Sequence, residues 1–131
     1  MLTSRSGLSR LAVVALLVVF TAAPSVAKER ESYEKTVPFD LGGHFRIDNV
    51  NGDITIDVWN EASVRIQAEK VADSVGSLEK IEIIVEGEGD RVEVKTRLPK
   101  SLFRGGSRKV DYRISLPAEA IVDASSVNGH V

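Results

Sequence analysis

Phe45, Ile47 and Asn49 alternate with Arg46 and Asp48, and beyond Asn51-Gly52 the alternation resumes as Ile54, Ile56 and Val58 against Thr55 and Asp57. A period of two marks strands with one buried face, and an Asn-Gly pair between two such runs is a strong short-range hairpin signal. A two-residue turn there sets Phe45 opposite Val58, Ile47 opposite Ile56 and Asn49 opposite Ile54, with Arg46 opposite Asp57 on the other face. The words Val50-Asn51-Gly52-Asp53-Ile54 return as Val127-Asn128-Gly129-His130-Val131, which reads as a repeat whose second copy is cut short.

The same pattern continues in both directions. Thr36, Val37, Pro38 and Phe39 suit a short edge strand, because proline removes a ladder donor. Val64, Ile66 and Ala68 alternate with Arg65, Gln67 and Glu69, and a loop of Asn60, Glu61 and Ala62 sets Val58 opposite Val64 and Ile56 opposite Ile66. Residues 71–78 hold Asp73, Ser74, Gly76 and Ser77 and read as a connection with room for a helical turn. A second hairpin around Glu88-Gly89 sets Val85 opposite Val92, Ile83 opposite Val94 and Ile81 opposite Thr96, with Glu82 facing Lys95 and Glu86 facing Arg91. The pattern disappears over 98–109, a loop, and returns as Val110, Tyr112, Ile114 and Leu116, ended by Pro117. A last strand over 121–127 leads into Asn128-Gly129.

Strand patterns nearly everywhere and no amphipathic helix predict an all-β fold. Successive hairpins argue for antiparallel ladders, while the recurring Val-Asn-Gly word argues for stacked turns of one shape. The expectation is mixed: antiparallel hairpins forming a sandwich-like unit that leads into a β-solenoid repeat, right-handed and β-helix-like, cut short at the C-terminus.

The N-terminus changes where this fold is expected to work. Arg5 and Arg10 precede an apolar run over 11–20, and Ser25-Val26-Ala27 suits a signal peptidase. The run is shorter than the roughly 20 residues that cross a bilayer and Pro24 interrupts it, so 1–27 reads as a cleaved secretory signal and the mature chain has no transmembrane span. With no cysteine, neither a lipoprotein anchor nor a disulfide is available, and packing and ladders alone hold the domain. Residues 28–38, dense in Lys28, Glu29, Arg30, Glu31 and Glu34, read as a flexible charged leader, leaving 39–131 as the β-repeat domain. Losing Arg5 and Arg10 lowers 17 basic residues to 15 against 19 acids, a net charge of −4. That balance argues against a nucleic-acid binder, which needs a basic face.

Candidate chemistry is sparse. Asp48, Asn51 and Asp53 surround a glycine as in a calcium loop, but an EF-hand starting at Asp48 needs an oxygen ligand at Val50 and a glutamate at Trp59, so turn geometry explains the residues better. Asp123, Ser125, Ser126 and His130 offer the ingredients of a hydrolase triad, yet neighbouring strand residues point to opposite faces and His130 follows a turn. No catalytic residue, metal ligand or cofactor is assigned. Lys100, Arg104, Arg108 and Lys109 around Phe103 form the one basic cluster, suited to an anionic surface such as lipid headgroups or cell-wall polymer; the plain alternative is a solvated loop. Trp59 suits a sugar platform or, more simply, the cap of a β core.

Phe45-x-Ile47-x-Asn49-Val50-Asn51-Gly52-Asp53-Ile54-x-Ile56, then Trp59, Val64-x-Ile66-x-Ala68, Tyr112-x-Ile114-x-Leu116-Pro117 and Ser126-Val127-Asn128-Gly129 together resemble a bacterial envelope family of β-strand-repeat, adhesin-like proteins. The pattern is similar to the auto-transporter adhesin head domain and spans 39–131. The resemblance implies an exported all-β protein whose repeats stack into a β-solenoid; it carries no catalytic residues to transfer. Family members usually continue through further repeats, so an incomplete second repeat implies an open edge and self-association through it. The expected function is a non-enzymatic module of the periplasm or cell envelope that displays loops to a cell-surface or cell-wall polymer or to another envelope protein. An envelope carbohydrate-processing enzyme and an accessory stress or signalling component are the alternatives.

Overall fold

The computed structural model describes residues 28–99 and 108–131; the expected signal, 1–27, and Lys100, Phe103 and Arg104 of the expected binding loop lie outside the described residues. The described residues are all-β with one short helix: β1 (Glu29–Asn51), β2 (Ile54–Trp59), β3 (Ser63–Ala72), α1 (Val75–Glu79), β4 (Glu82–Arg97), β5 (Lys109–Pro117) and β6 (Ile121–Asn128). The strands make an open mixed sheet in the order β2-β5-β3-β1-β4, with β6 also paired to β1.

The long first strand serves two ladders. Its first half runs antiparallel to β3, from Glu29 opposite Ala72 to Pro38 opposite Ser63. Gly42, at φ 82°, lies where the strand changes course, and a register shift falls between Phe39 and His44. Its second half lies between two parallel neighbours: His44 to Asp48 opposite Arg91 to Lys95 of β4, and His44 to Asn51 opposite Ile121 to Asn128 of β6. β5 is antiparallel to β3 and parallel to β2. α1 is a single capped turn, with the Ser74 hydroxyl accepting from the Ser77 amide at 3.1 Å.

Alternation places the side chains as expected. Phe45, Ile47, Ile54, Val64, Ile66, Val92, Val94, Val110, Tyr112, Ile114 and Leu116 share one buried core with Val37, Phe39 and Ile81. With no cysteine in the sequence no disulfide holds it together, and burial of this apolar surface is the main favourable term.

Partners differ from expectation. β1 and β2 do not pair as a hairpin, and β2 and β3 do not pair either; β5 lies between them, so Ile56 and Ile66 both face Ile114 instead of each other. The inward period of two is satisfied by any neighbour with a matching apolar face, and β5 supplies one from far along the chain. The polar faces follow: Asp57 pairs with Arg113 at 3.2 Å rather than with Arg46, which pairs with Asp48 at 3.1 Å. Within β4 the chain folds back, since Glu82 approaches Arg97 at 3.9 Å and a β-carbon on Gly87, at φ 87°, would overlap the Arg91 carbonyl. The leader expected over 28–38 is strand from Glu29 onward. Val37 is buried and Tyr33 half-buried, and the charges ahead of them find partners on β3, Arg30 with Glu69 and Glu31 with Lys70. Such exposed pairs contribute little; the ladder and the two inward side chains hold the segment.

No helix among the described residues is long and apolar enough to cross a membrane.

Candidate functional site

The Asn-Gly words mark a corner, not a hairpin end. At Asn51-Gly52-Asp53 the chain leaves the ladder with β4 and β6 and enters the ladder with β5. Asn128-Gly129-His130 makes the same corner directly over it, with Asn51 opposite Asn128. The Gly52 amide donates to the Asn128 carbonyl at 2.9 Å, and the Ile54 amide to the His130 carbonyl at 2.9 Å. On the opposite side the Tyr112 amide donates to the Asp53 carbonyl at 2.8 Å, and the Asp53 amide to Asp111 Oδ1 at 2.9 Å.

Both glycines are there because backbones touch. Gly52 has φ 120°, and a β-carbon on it would lie 2.7 Å from the Val110 carbonyl carbon and nearer still to its oxygen. A β-carbon on Gly129 would lie 2.6 Å from the Gly52 carbonyl carbon. The corner is therefore a column, Val110 to Gly52 to Gly129, in which each level leaves no room for a side chain.

A buried polar network lines its inner side. Asn49, 3% exposed, donates to the Val110 carbonyl at 2.8 Å and accepts from the Thr96 hydroxyl at 2.9 Å, and Thr96 also bonds the Tyr112 hydroxyl. Burial pushes the Tyr112 phenol up to about 12, partly offset by its bond to Thr96. Asn51 donates to the Arg108 carbonyl, which ties the corner to the start of β5. Asn49, Thr96 and Tyr112 thus satisfy one another and the Val110 carbonyl, as a low-dielectric interior requires.

The corner also engages several of the side chains considered for chemistry. Asp48 Oδ1 accepts from Ser125 at 2.8 Å, Ser126 donates to the Gly52 carbonyl at 2.7 Å, and Asp53 Oδ1 accepts from the His130 amide at 3.0 Å. That last bond holds the Asp53 carboxyl below its usual range. Asp48, Asn51 and Asp53 thus point at three different partners, and the imidazole of His130 lies beside Asp53 rather than a serine. Trp59 donates to the Ser63 carbonyl at 2.8 Å and carries the Arg65 guanidinium 4.9 Å from its ring centroid, so one ring face is taken. Of the basic cluster, Lys109 pairs with Asp111 at 3.0 Å and Arg108 offers its carbonyl to Asn51.

No protein-family model matches the chain, and neither does any curated protein or solved structure.

The feature that sequence reasoning missed is which strands make the columns: β4, β1 and β6 on one side of the corner, β5 and β2 on the other. The column Val92, Phe45, Val122 runs from buried to 38% exposed, and Leu116, Val58 from buried to 63% exposed. Among the described residues no strand pairs with the outer edge of β6 or of β2. The signal was present in the repeated word itself: equal sequences in equal surroundings stack.

Proposed function

We propose that the chain is an exported, non-enzymatic, adhesin-like β-repeat module of the cell envelope. Its parallel Asn-Gly levels are the opening of a β-solenoid, seated on a sandwich-like antiparallel unit made by β1, β3 and β5. The observation that carries this reading is the in-register stacking of Asn128-Gly129 on Asn51-Gly52, the arrangement a repeat architecture requires. The secretory pattern of 1–27 supports export, and the lack of cysteine is consistent with a protein that is not a lipoprotein.

The module works by display. A framework tied by ladders in both directions holds the corner still, and Arg108 and Lys109, which Lys100, Phe103 and Arg104 precede in the sequence, lead into β5 beside that corner. An anionic cell-wall or cell-surface polymer, or an acidic face of another envelope protein, suits those cations; nucleic acid does not suit the overall acidity.

The test is expression of the full chain in a bacterium, followed by fractionation, N-terminal sequencing and binding to isolated cell-wall polymer. The expected product starts at Lys28, fractionates with the envelope and binds in a salt-sensitive way that is lost when Lys100, Arg104, Arg108 and Lys109 are all replaced by alanine. An uncleaved cytoplasmic product, or binding unchanged in the quadruple variant, contradicts the reading.

A further inference from the structure

We infer that the outward face of the four strands β2, β5, β3 and the first half of β1 carries a binding trough for an uncharged oligosaccharide laid across the strands. This site is independent of the stacked corner and of the basic cluster. Register places its walls. Thr55, Arg113, Gln67 and Glu34 stand side by side as ladder partners on the four strands, and two residues along Asp111, Glu69 and Ser32 make a second row. The row between them turns its side chains the other way, Tyr112 and Ala68 into the core and Tyr33 against it. What remains between the two outward rows is a trough of about 600 Å³. Small-ligand sites run to about 300–1,000 Å³. The trough crosses three interstrand spacings of about 4.8 Å, roughly 14 Å in all, which suits about three linked sugar rings.

The chemistry of the walls selects the ligand. Their charges are largely paired within the protein: Arg113 with Asp57 at 3.2 Å, Asp111 with Lys109 at 3.0 Å, and Glu69 with Arg30. Glu34, exposed at the β1 end, is the one wall charge without a counter-ion among the described residues. A polyanion or polycation therefore gains little here, while the paired groups keep further lone pairs and N–H groups for an uncharged ligand. At the centre Gln67 is half-buried, and its carboxamide has no hydrogen-bond partner among the described residues. A carboxamide both donates and accepts, as do the hydroxyls of Thr55 and Ser32. Sugar hydroxyls do the same, so one ring can satisfy Gln67 and a carboxylate of the facing wall together; an apolar ligand would leave both unpaired. The outward side chains are all polar or charged, and the trough runs across the strands rather than along an edge, so it offers a peptide no ladder to join. Trp59, on the same face further along β2, lies outside the trough with one ring face under Arg65.

The probes are three uncharged trisaccharides, N-acetylchitotriose, cellotriose and maltotriose, titrated into the nitrogen-labelled protein and followed by NMR. At least one should give saturable shifts of the Gln67 side-chain amide and of the Thr55, Ala68 and Arg113 backbone amides. Those shifts should persist at about 0.5 M salt, where exposed charges are screened. Gln67→Ala should weaken binding about fivefold, the factor that about 1 kcal/mol gives. Gln67→Lys, which fills the centre of the trough, should abolish it, both variants keeping the circular dichroism spectrum of the parent. Lys95→Ala, exposed on β4, should bind as the parent does. No saturable shift with any of the three sugars up to about 10 mM, equal binding by the Gln67→Ala and parent proteins, or shifts centred on Trp59 overturns the inference. These variants leave Lys100, Arg104, Arg108 and Lys109 in place, so this result and the binding of an anionic polymer can fail separately.

Discussion

Replacing Gly52 by alanine attacks the corner where the chain has least room. The residue sits at φ 120°, and the added β-carbon would stand 2.7 Å from the Val110 carbonyl carbon and 3.0 Å from Asp111 Oδ1. Ordinary carbon contacts are about 3.5–4.0 Å, so the level of β1 and β2 must lift from that of β5 by roughly 1 Å. Backbone strain at a positive φ costs about 1–3 kcal/mol for an L-residue. The displacement also weakens the bonds from Tyr112 to Asp53 and from Asp53 to Asp111, each worth about 1 kcal/mol. The total is about 3–5 kcal/mol, which lowers the melting temperature by roughly 12 °C or more in a domain of this size. Gly129→Ala meets an equal overlap with the Gly52 carbonyl, but β6 has one neighbour and can swing outward. It should lose about 1–2 kcal/mol, confined to the two bonds that join the corners. Gly76→Ala is the control: the nearest atom to its β-carbon is the Ser74 hydroxyl at 4.0 Å, and the residue is helical. It should be neutral or stabilise by up to about 1 kcal/mol. Urea unfolding of the three variants at fixed pH gives the ranking. A Gly52→Ala protein within about 1 kcal/mol of the parent refutes the close-stacked corner.

Stability should fall as pH rises from about 10 to about 12, because the Tyr112 phenol keeps its proton in the folded state to about 12 and gives it up near 10 when unfolded. The stabilisation is fully present below the unfolded value, and its loss amounts to roughly 3 kcal/mol by the upper limit; Tyr112→Phe should remove this part of the slope in pH-dependent urea titrations. Asn49→Ala removes the side-chain donor to the Val110 carbonyl and leaves the Thr96 hydroxyl with Tyr112 alone, and should cost about 1–3 kcal/mol by chemical unfolding. On ageing at mildly alkaline pH, the backbone nitrogen of a glycine attacks the preceding Asn carboxamide, ammonia leaves, and water opens the ring to aspartate or isoaspartate. Peptide mapping should find this at Asn128 well before Asn51, whose carboxamide is bound to Arg108 and whose following amide is bound to Asn128. Equal rates at the two sites would mean that the inner corner is open to solvent.

Faces were legible in the sequence and partners were not. Phe45, Ile47, Ile54, Val64, Ile66, Val92, Val94 and Ile114 are all buried as the alternation requires. Alternation states which side chains point inward, however, and says nothing of which strand lies alongside. Asn51-Gly52 shows the gap. The conformational freedom that lets Asn-Gly close a hairpin equally lets it turn a strand from one ladder to another, and local sequence does not separate the two. The discriminating signal was non-local: Val127-Asn128-Gly129 repeats the word, and a hairpin reading gives the second copy nothing to do. The strand over 29–38 was hidden by charge density, because Tyr33 and Val37 are too few to stand out until β3 provides a ladder for them. The candidate site suffered likewise. The basic residues were visible as a cluster, whereas the stacked corner depends on knowing that β6 lies beside β1 and β2 beside β5.

The most direct test of the stacked corner is the backbone NOE pattern of the uniformly labelled protein. Parallel levels predict amide-to-α contacts linking Ile47 with Ala124 and Ile56 with Ile114, together with protection of the Gly52 and Ile54 amides by the chain at Asn128 and His130. An antiparallel set joining Phe45 to Val58 and Ile47 to Ile56 would mean that Asn51-Gly52 closes a hairpin, and the column would not exist.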